Sequence, residues 1–256
     1  MSLILINSLV LGAGGGGGGG FTPPTITTAS YLQWIEARHE TGYSNTDPVG
    51  TATDVSGAGN NWTQATAGKK PLFLTNQING HPAYDFDAAS EHHWSLASDI
   101  LSGKSAGEIF IVVKLDNDPG ASNKDGLWKM DGDGTNAVNF PYNGDGNIYE
   151  AWGSTARKST GVNPSPALTN WTLYNVRSGS GDFKLYQNGT QVYSTGTNTF
   201  SSMGATRYLG RSVGLFGDTY LDGMVAAIVI VDDLLNSTDR DAIEAVFASA
   251  YGLTIA

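Results

Sequence analysis

Only one segment of this 256-residue chain, STDRDAIEAVFASAYG at 237–252, repeats its apolar residues at helical spacing. Ala242, Ile243, Val246, Phe247, Ala250 and Tyr251 form one stripe, as a helix docked on a core requires. Thr238 to Asp241 fits a Ser/Thr-x-x-Asp/Glu cap, and Gly252 fits a left-handed stop. The chain ahead of it reads as short extended runs: YLQWIEA (31–37), HPAYDFD (81–87), GEIFIVVKL (107–115), NIYEAW (147–152), NWTLYNVRS (170–178) and MVAAIVIVDD (224–233). β-Branched and aromatic residues between Gly, Asn and Asp clusters are the mark of strands. In DFKLYQNGTQVYST, Asn188-Gly189 supplies the two positive-φ residues of a type I′ hairpin, which predicts Leu185 opposite Val192. Many strands and one helix predict an all-β antiparallel sandwich.

With 40% hydrophobic residues the chain can bury one sizeable core. There is no cysteine, so neither a disulfide nor thiol chemistry is available. The net charge is −10 and no basic cluster exceeds a pair such as Lys69-Lys70, which argues against nucleic acid as a partner. The longest apolar runs, 3–11 and 224–231, fall short of the roughly 20 residues of a membrane span.

Seven consecutive glycines occupy 14–20, followed by Phe21-Thr22-Pro23-Pro24. A phosphate loop would need a helix or a Gly-Lys-Ser/Thr next, and the prolines and the missing lysine exclude both. Residues 1–12 carry no Lys or Arg, unlike the basic start of a secretory leader. Leu3, Ile4, Leu5, Ile6, Leu9, Val10 and Leu11 are apolar on both faces of an extended segment, and such a strand needs a sheet around it. The expectation is an extended arm over residues 1–24, anchored among other chains and most plausibly in a homotrimer, with a domain over 25–256.

Residues 31–97 and 205–253 resemble the LamG-like jelly rolls of the concanavalin A-like lectin/glucanase superfamily. The resemblance lies in YLQWIEA, then DVSGAGNNWTQAT (54–66), Pro71, INGHPAYDFD (78–87) and the closing YLGRS…YLDGMVAAIVIVDD with its final helix. It implies a concanavalin A-like antiparallel jelly-roll β-sandwich with one short C-terminal helix, and it covers about half the chain. The family's tryptophan two residues ahead of the turn's Asp is Ala52 here. Gly57, Gly59 and Asn60 suit a positive-φ reversal, with Asp54 and Ser56 bonding nearby amides, so the motif reads as a structural turn.

Glucanases of this superfamily carry Glu-x-Asp-x-x-Glu, because retaining hydrolysis needs two carboxyls about 5 Å apart. The six glutamates, Glu36, Glu40, Glu91, Glu108, Glu150 and Glu244, are followed two places on by Arg38, Gly42, His93, Phe110, Trp152 and Val246. None is Asp, so the expectation is a non-enzyme. Asp131, Asp133 and Asp145, in DGDGTN and NGDGN, are the candidate metal ligands, for calcium. Tyr142 stands where an EF-hand needs Glu, and solvated turns are the preferred reading. No other cofactor is implied.

Trp128, Tyr142, Tyr149 and Trp152 cluster around the Asp/Gly/Asn-rich middle and are the candidate glycan platform, since sugar C–H faces stack on aromatic rings. Trp62 and Trp171 are assigned to structure. The expected function is a non-catalytic phage virion protein, from a tail fibre or capsid surface. It is made in the host cytoplasm and displays a lectin-like domain toward host-surface polysaccharide. The alternatives are a secreted bacterial carbohydrate-binding module and, behind it, a glycosidase with unfamiliar carboxylates.

Overall fold

The computed structural model describes residues 21–118, 126–130, 145–213 and 218–256. The strands run β1 (Tyr31–Glu36), β2 (Asp47–Pro48), β3 (Thr51–Ala52), β4 (Trp62–Thr63), β5 (Leu72–Ile78) and β6 (His81–Phe86). Next come β7 (Trp94–Leu96), β8 (Ala106–Leu115), β9 (Trp128–Lys129), β10 (Tyr149–Glu150), β11 (Lys158–Ser159) and β12 (Thr172–Gly179). The last are β13 (Asp182–Gln187), β14 (Thr190–Thr195), β15 (Tyr208–Leu209), β16 (Arg211–Ser212), β17 (Thr219–Tyr220) and β18 (Gly223–Val231), followed by α1 (Ser237–Tyr251).

A nine-stranded antiparallel sheet has the order β14-β13-β12-β8-β18-β6-β5-β2, with β1 also on β18. A five-stranded sheet, β3-β4-β7-β15-β9, faces it. The large sheet is covered on both sides, which is why β8 and β18 are almost continuously apolar rather than alternating. Ile109, Ile111, Val113 and Leu115 point into the core between the sheets, and Phe110 and Val112 point toward α1. In β18, Val225 pairs with Val113 and Ala227 with Val112, leaving Ala226 as an extra residue. That bulge lets Ala226 and Ala227 both face the helix side.

The helix docks as its stripe requires, with Ile243, Phe247, Ala250 and Tyr251 buried. Its start is corrected, because Asn236, not Thr238, is the cap and accepts from Asp239 N at 2.8 Å. The Asp239 carboxylate is turned away to Thr27 and Thr28, accepting their backbone N–H groups at 2.9 and 2.8 Å. Gly252 closes the helix at φ 67°. The hairpin forms with Asn188 at φ 49° and Gly189 at φ 78°, but Leu185 pairs with Tyr193 rather than Val192. A register shift between Leu185 and Tyr186 moves the partner by one.

The 54–60 segment is the structural turn its residues suggest. Asp54 accepts from Trp34 N and Ser56 N at 2.9 Å each and from Asn60 N at 2.8 Å. Gly57 and Gly59 take positive φ, whereas Asn60 does not and spends its amide on Leu32 O at 2.7 Å. Ala52 is buried opposite Trp62. Phe21, inside the expected arm, packs on Trp34 and His39 of the sandwich, with ring centroids 5.2 and 4.3 Å away. Leu3, Ile4, Leu5, Ile6, Leu9, Val10 and Leu11 lie outside the described residues.

Candidate functional site

Four chain segments meet around the C-terminal end of α1: the β5–β6 turn, the loop ahead of β12, the β13–β14 turn and the tail after α1. Asn188 joins three of them. It exchanges hydrogen bonds with Leu173 and accepts at its own carbonyl from Ala256 N at 3.0 Å. A Cβ on Gly189 would lie 2.8 Å from Ile255 Cγ2 and 2.9 Å from Ala256 O, so only glycine lets the tail cross the turn this closely. Asn79 donates to Ala250 O at 2.9 Å and Trp171 Nε1 to Gln77 O at 3.3 Å, fastening the β5–β6 turn to the same assembly.

These contacts leave two open cavities. One of about 530 Å³ has Gln77, Asn79, Asn170 and the half-buried Trp171 in its wall. The other, of about 400 Å³, has Ser165, Gln187, Thr190 and Val192. Pro166, Asn188 and Thr254 line both. Among the described residues, no charged side chain lines either cavity. A half-exposed indole among amides and hydroxyls offers an apolar face with fixed donors and acceptors around it, the chemistry of sugar recognition.

Residues 111–239 match the family profile described as the concanavalin A-like lectin/glucanases superfamily, just over half of the chain. The chain belongs to this superfamily. No curated protein matches it by sequence. Domain 4 of an extracellular GH43 arabinanase from Geobacillus stearothermophilus, in complex with arabinotriose, superposes with TM-score 0.59 at 14% identity, covering 85% of this chain and 98% of that domain. Trypanosoma rangeli sialidase in complex with the inhibitor DANA gives 0.56 at 12%, over 86% of this chain and 33% of the sialidase. The binding domain of botulinum neurotoxin serotype D gives 0.55 at 13%, over 84% and 51%. At these identities the likeness is one of fold.

Within the superfamily fold, the expected aromatic platform is corrected at two positions. Trp128 and Trp152 have no exposed surface, because alternating strand residues fill the core. They surround Glu150, whose Oε1 accepts from Trp128 Nε1 at 3.1 Å and from Ala151 N and Trp152 N at 2.9 Å each. Tyr174 OH donates to Glu150 Oε2 at 2.8 Å. Complete burial outweighs these bonds and pushes Glu150 up to about 7. Tyr149 is half-buried, bonds Asp145 at 2.7 Å and lies under the Arg157 guanidinium at 4.8 Å. Asp145 also accepts from Asn147 N at 2.9 Å, as a turn residue does. Tyr142, Asp131 and Asp133 lie outside the described residues.

Two other buried glutamates are also hydrogen-bonded hubs. Glu36 accepts from Trp34 Nε1, Arg38 and Tyr251 OH at 2.7, 2.6 and 2.6 Å. Burial would raise it, but hydrogen bonds from His39, Arg38 and Tyr251 hold it down at about 2. Glu108 joins Arg177 and Arg240 at 3.2 and 3.1 Å, and burial leaves it raised. His92 and His93 turn to separate partners, the first accepting from Asp87 N and the second meeting Gln64. Trp171 was assigned to structure. Its position at the mouth of β12, directly after Asn170 and the Pro164–Pro166 turn, is the sequence signal for the cleft.

Proposed function

We propose that this chain is a non-catalytic carbohydrate-binding protein whose jelly roll presents the Trp171 cleft to a glycan. The observation that carries the reading is the half-buried Trp171 ring in a 530 Å³ cleft walled by Gln77, Asn79, Asn170 and Asn188. Its non-catalytic character is supported by the lining, in which the described residues offer amides and hydroxyls but no Asp or Glu, whereas glycoside hydrolysis works through a carboxyl pair. A glycan array on the whole chain, repeated with Trp171→Ala, tests it. Binding by the native chain that the variant loses while it still unfolds in one cooperative transition is expected. Absence of any glycan signal from the native protein overturns the reading.

The cleft is displayed, in this proposal, on a tailed-phage virion through residues 1–24, with host-surface polysaccharide as the target and a homotrimer as the anchoring unit. The apolar 3–11 segment, which needs a sheet around it, supports it. Deleting residues 2–20 is expected to leave a folded domain that no longer enters particles, and normal incorporation would overturn this part. A second reading, a carbohydrate-binding module of a secreted glycosidase, draws on the arabinanase domain that the chain spans almost end to end. Both readings use the same cleft and differ in what it is attached to.

A further inference from the structure

We propose that the cleft is a two-position site for an uncharged oligosaccharide, an inference that rests on the glycan-binding reading above. The two cavities meet at Pro166, Asn188 and Thr254, and each alone lies within the ~300–1,000 Å³ of ordinary ligand sites. The pair therefore has room for more than one sugar ring. The positions differ in chemistry. Trp171 gives the first an aromatic face for stacking, while the second has no aromatic ring and is lined by Ser165, Gln187, Thr190 and Val192.

Gln187 marks the second position as a place for hydroxyl groups. Its side chain is only 4% exposed, and Nε2 donates to Pro166 O at 2.6 Å. Oε1 is buried without a hydrogen-bond partner, so a rotation of the side chain that lets it reach a donor in the cavity is favoured. Turned toward the cavity, this oxygen would accept from a sugar hydroxyl, whereas a carboxylate or sulfate has no proton to give it. Among the described residues no Lys, Arg or His lines either cavity, and the chain carries a net charge of −10. An anionic sugar would thus enter without a counter-charge, at a desolvation cost that nothing offsets.

The test is an array of neutral, sialylated, uronic and sulfated glycans of one to six units on the whole chain, followed by titration of the best binder and its constituent monosaccharide. Expected are neutral hits of two or more units, a monosaccharide at least tenfold weaker, and anionic glycans at background. Anionic hits, or a monosaccharide as tight as its oligomer, overturn the two-position inference while leaving glycan binding intact. No hits at all overturn the glycan-binding reading itself. Gln187→Met and, at an exposed position of the same cavity, Thr190→Ala should weaken the oligosaccharide several-fold and leave the monosaccharide unchanged. Equal losses for both ligands in Thr190→Ala, whose fold is not at stake, would likewise overturn it.

Discussion

Leu173 and Asn188 are joined by two hydrogen bonds of 2.8 Å: Asn188 N donates to Leu173 O, and Leu173 N donates to Asn188 Oδ1. The side chain thus stands in for a backbone carbonyl one step beyond the last ladder pair, Tyr174 with Gln187. Asn188 also holds φ 49°, a conformation that asparagine tolerates better than most residues. Replacing it with Ala removes the acceptor and strains the turn, at a cost of about 2–4 kcal/mol. Asn188→Asp keeps both properties and should lose less than half as much. Denaturant midpoints of the two variants check this; equal losses would show that the amide oxygen is not what matters.

Glu150 should make stability fall as pH rises. Its folded-state value of about 7 lies above the ordinary 4.5, so the folded protein retains a proton that the unfolded chain releases. Its contribution is complete below about pH 4.5, declines between 4.5 and 7, and is flat above. Glutamine can still accept at one oxygen and donate to Tyr174 OH. Glu150→Gln should therefore flatten the decline of melting temperature across pH 5–8. It will not abolish it, since burial also raises Glu244 to about 7 and Asp85 to about 6. Identical slopes in variant and native protein would contradict the assignment.

Asn236→Ala should cost about 1 kcal/mol, the usual penalty for removing an N-cap, because it frees Asp239 N from its 2.8 Å bond. Thr238→Ala, the cap suggested by the local pattern, should stay within about 0.5 kcal/mol of native. Thermal or urea unfolding of both variants discriminates them; a larger effect at Thr238 would reverse the capping assignment.

Phe21→Ala should release the segment leading into the sandwich. The ring lies 5.2 Å from Trp34 and 4.3 Å from His39, with the Arg38 guanidinium 5.7 Å from its centroid. Losing this half-buried ring should cost about 1 kcal/mol and speed proteolytic cleavage near residues 21–26 several-fold. An unchanged digestion pattern would show that the downstream contacts at Thr27 and Thr28 hold the segment alone.

Local preference determined what is local in this protein. The single helical stripe, the I′ turn at Asn188-Gly189 and the Asp54 turn each depend on groups within a few residues of one another, and all are present in the fold. Tertiary structure decided what depends on distant partners. The Thr238 cap yielded to Asn236, which accepts from Asp239 N and is itself held by Thr28 Oγ1, more than 200 residues away in sequence. Trp128 and Trp152 lie between strands whose pairing no local pattern encodes, so core packing claimed them as braces for Glu150. Trp171 reads in isolation like any other strand aromatic. It gained a cleft only because the hairpin turn, the β5–β6 turn and the C-terminal tail converge on it, and that convergence is a property of the closed sandwich rather than of any segment.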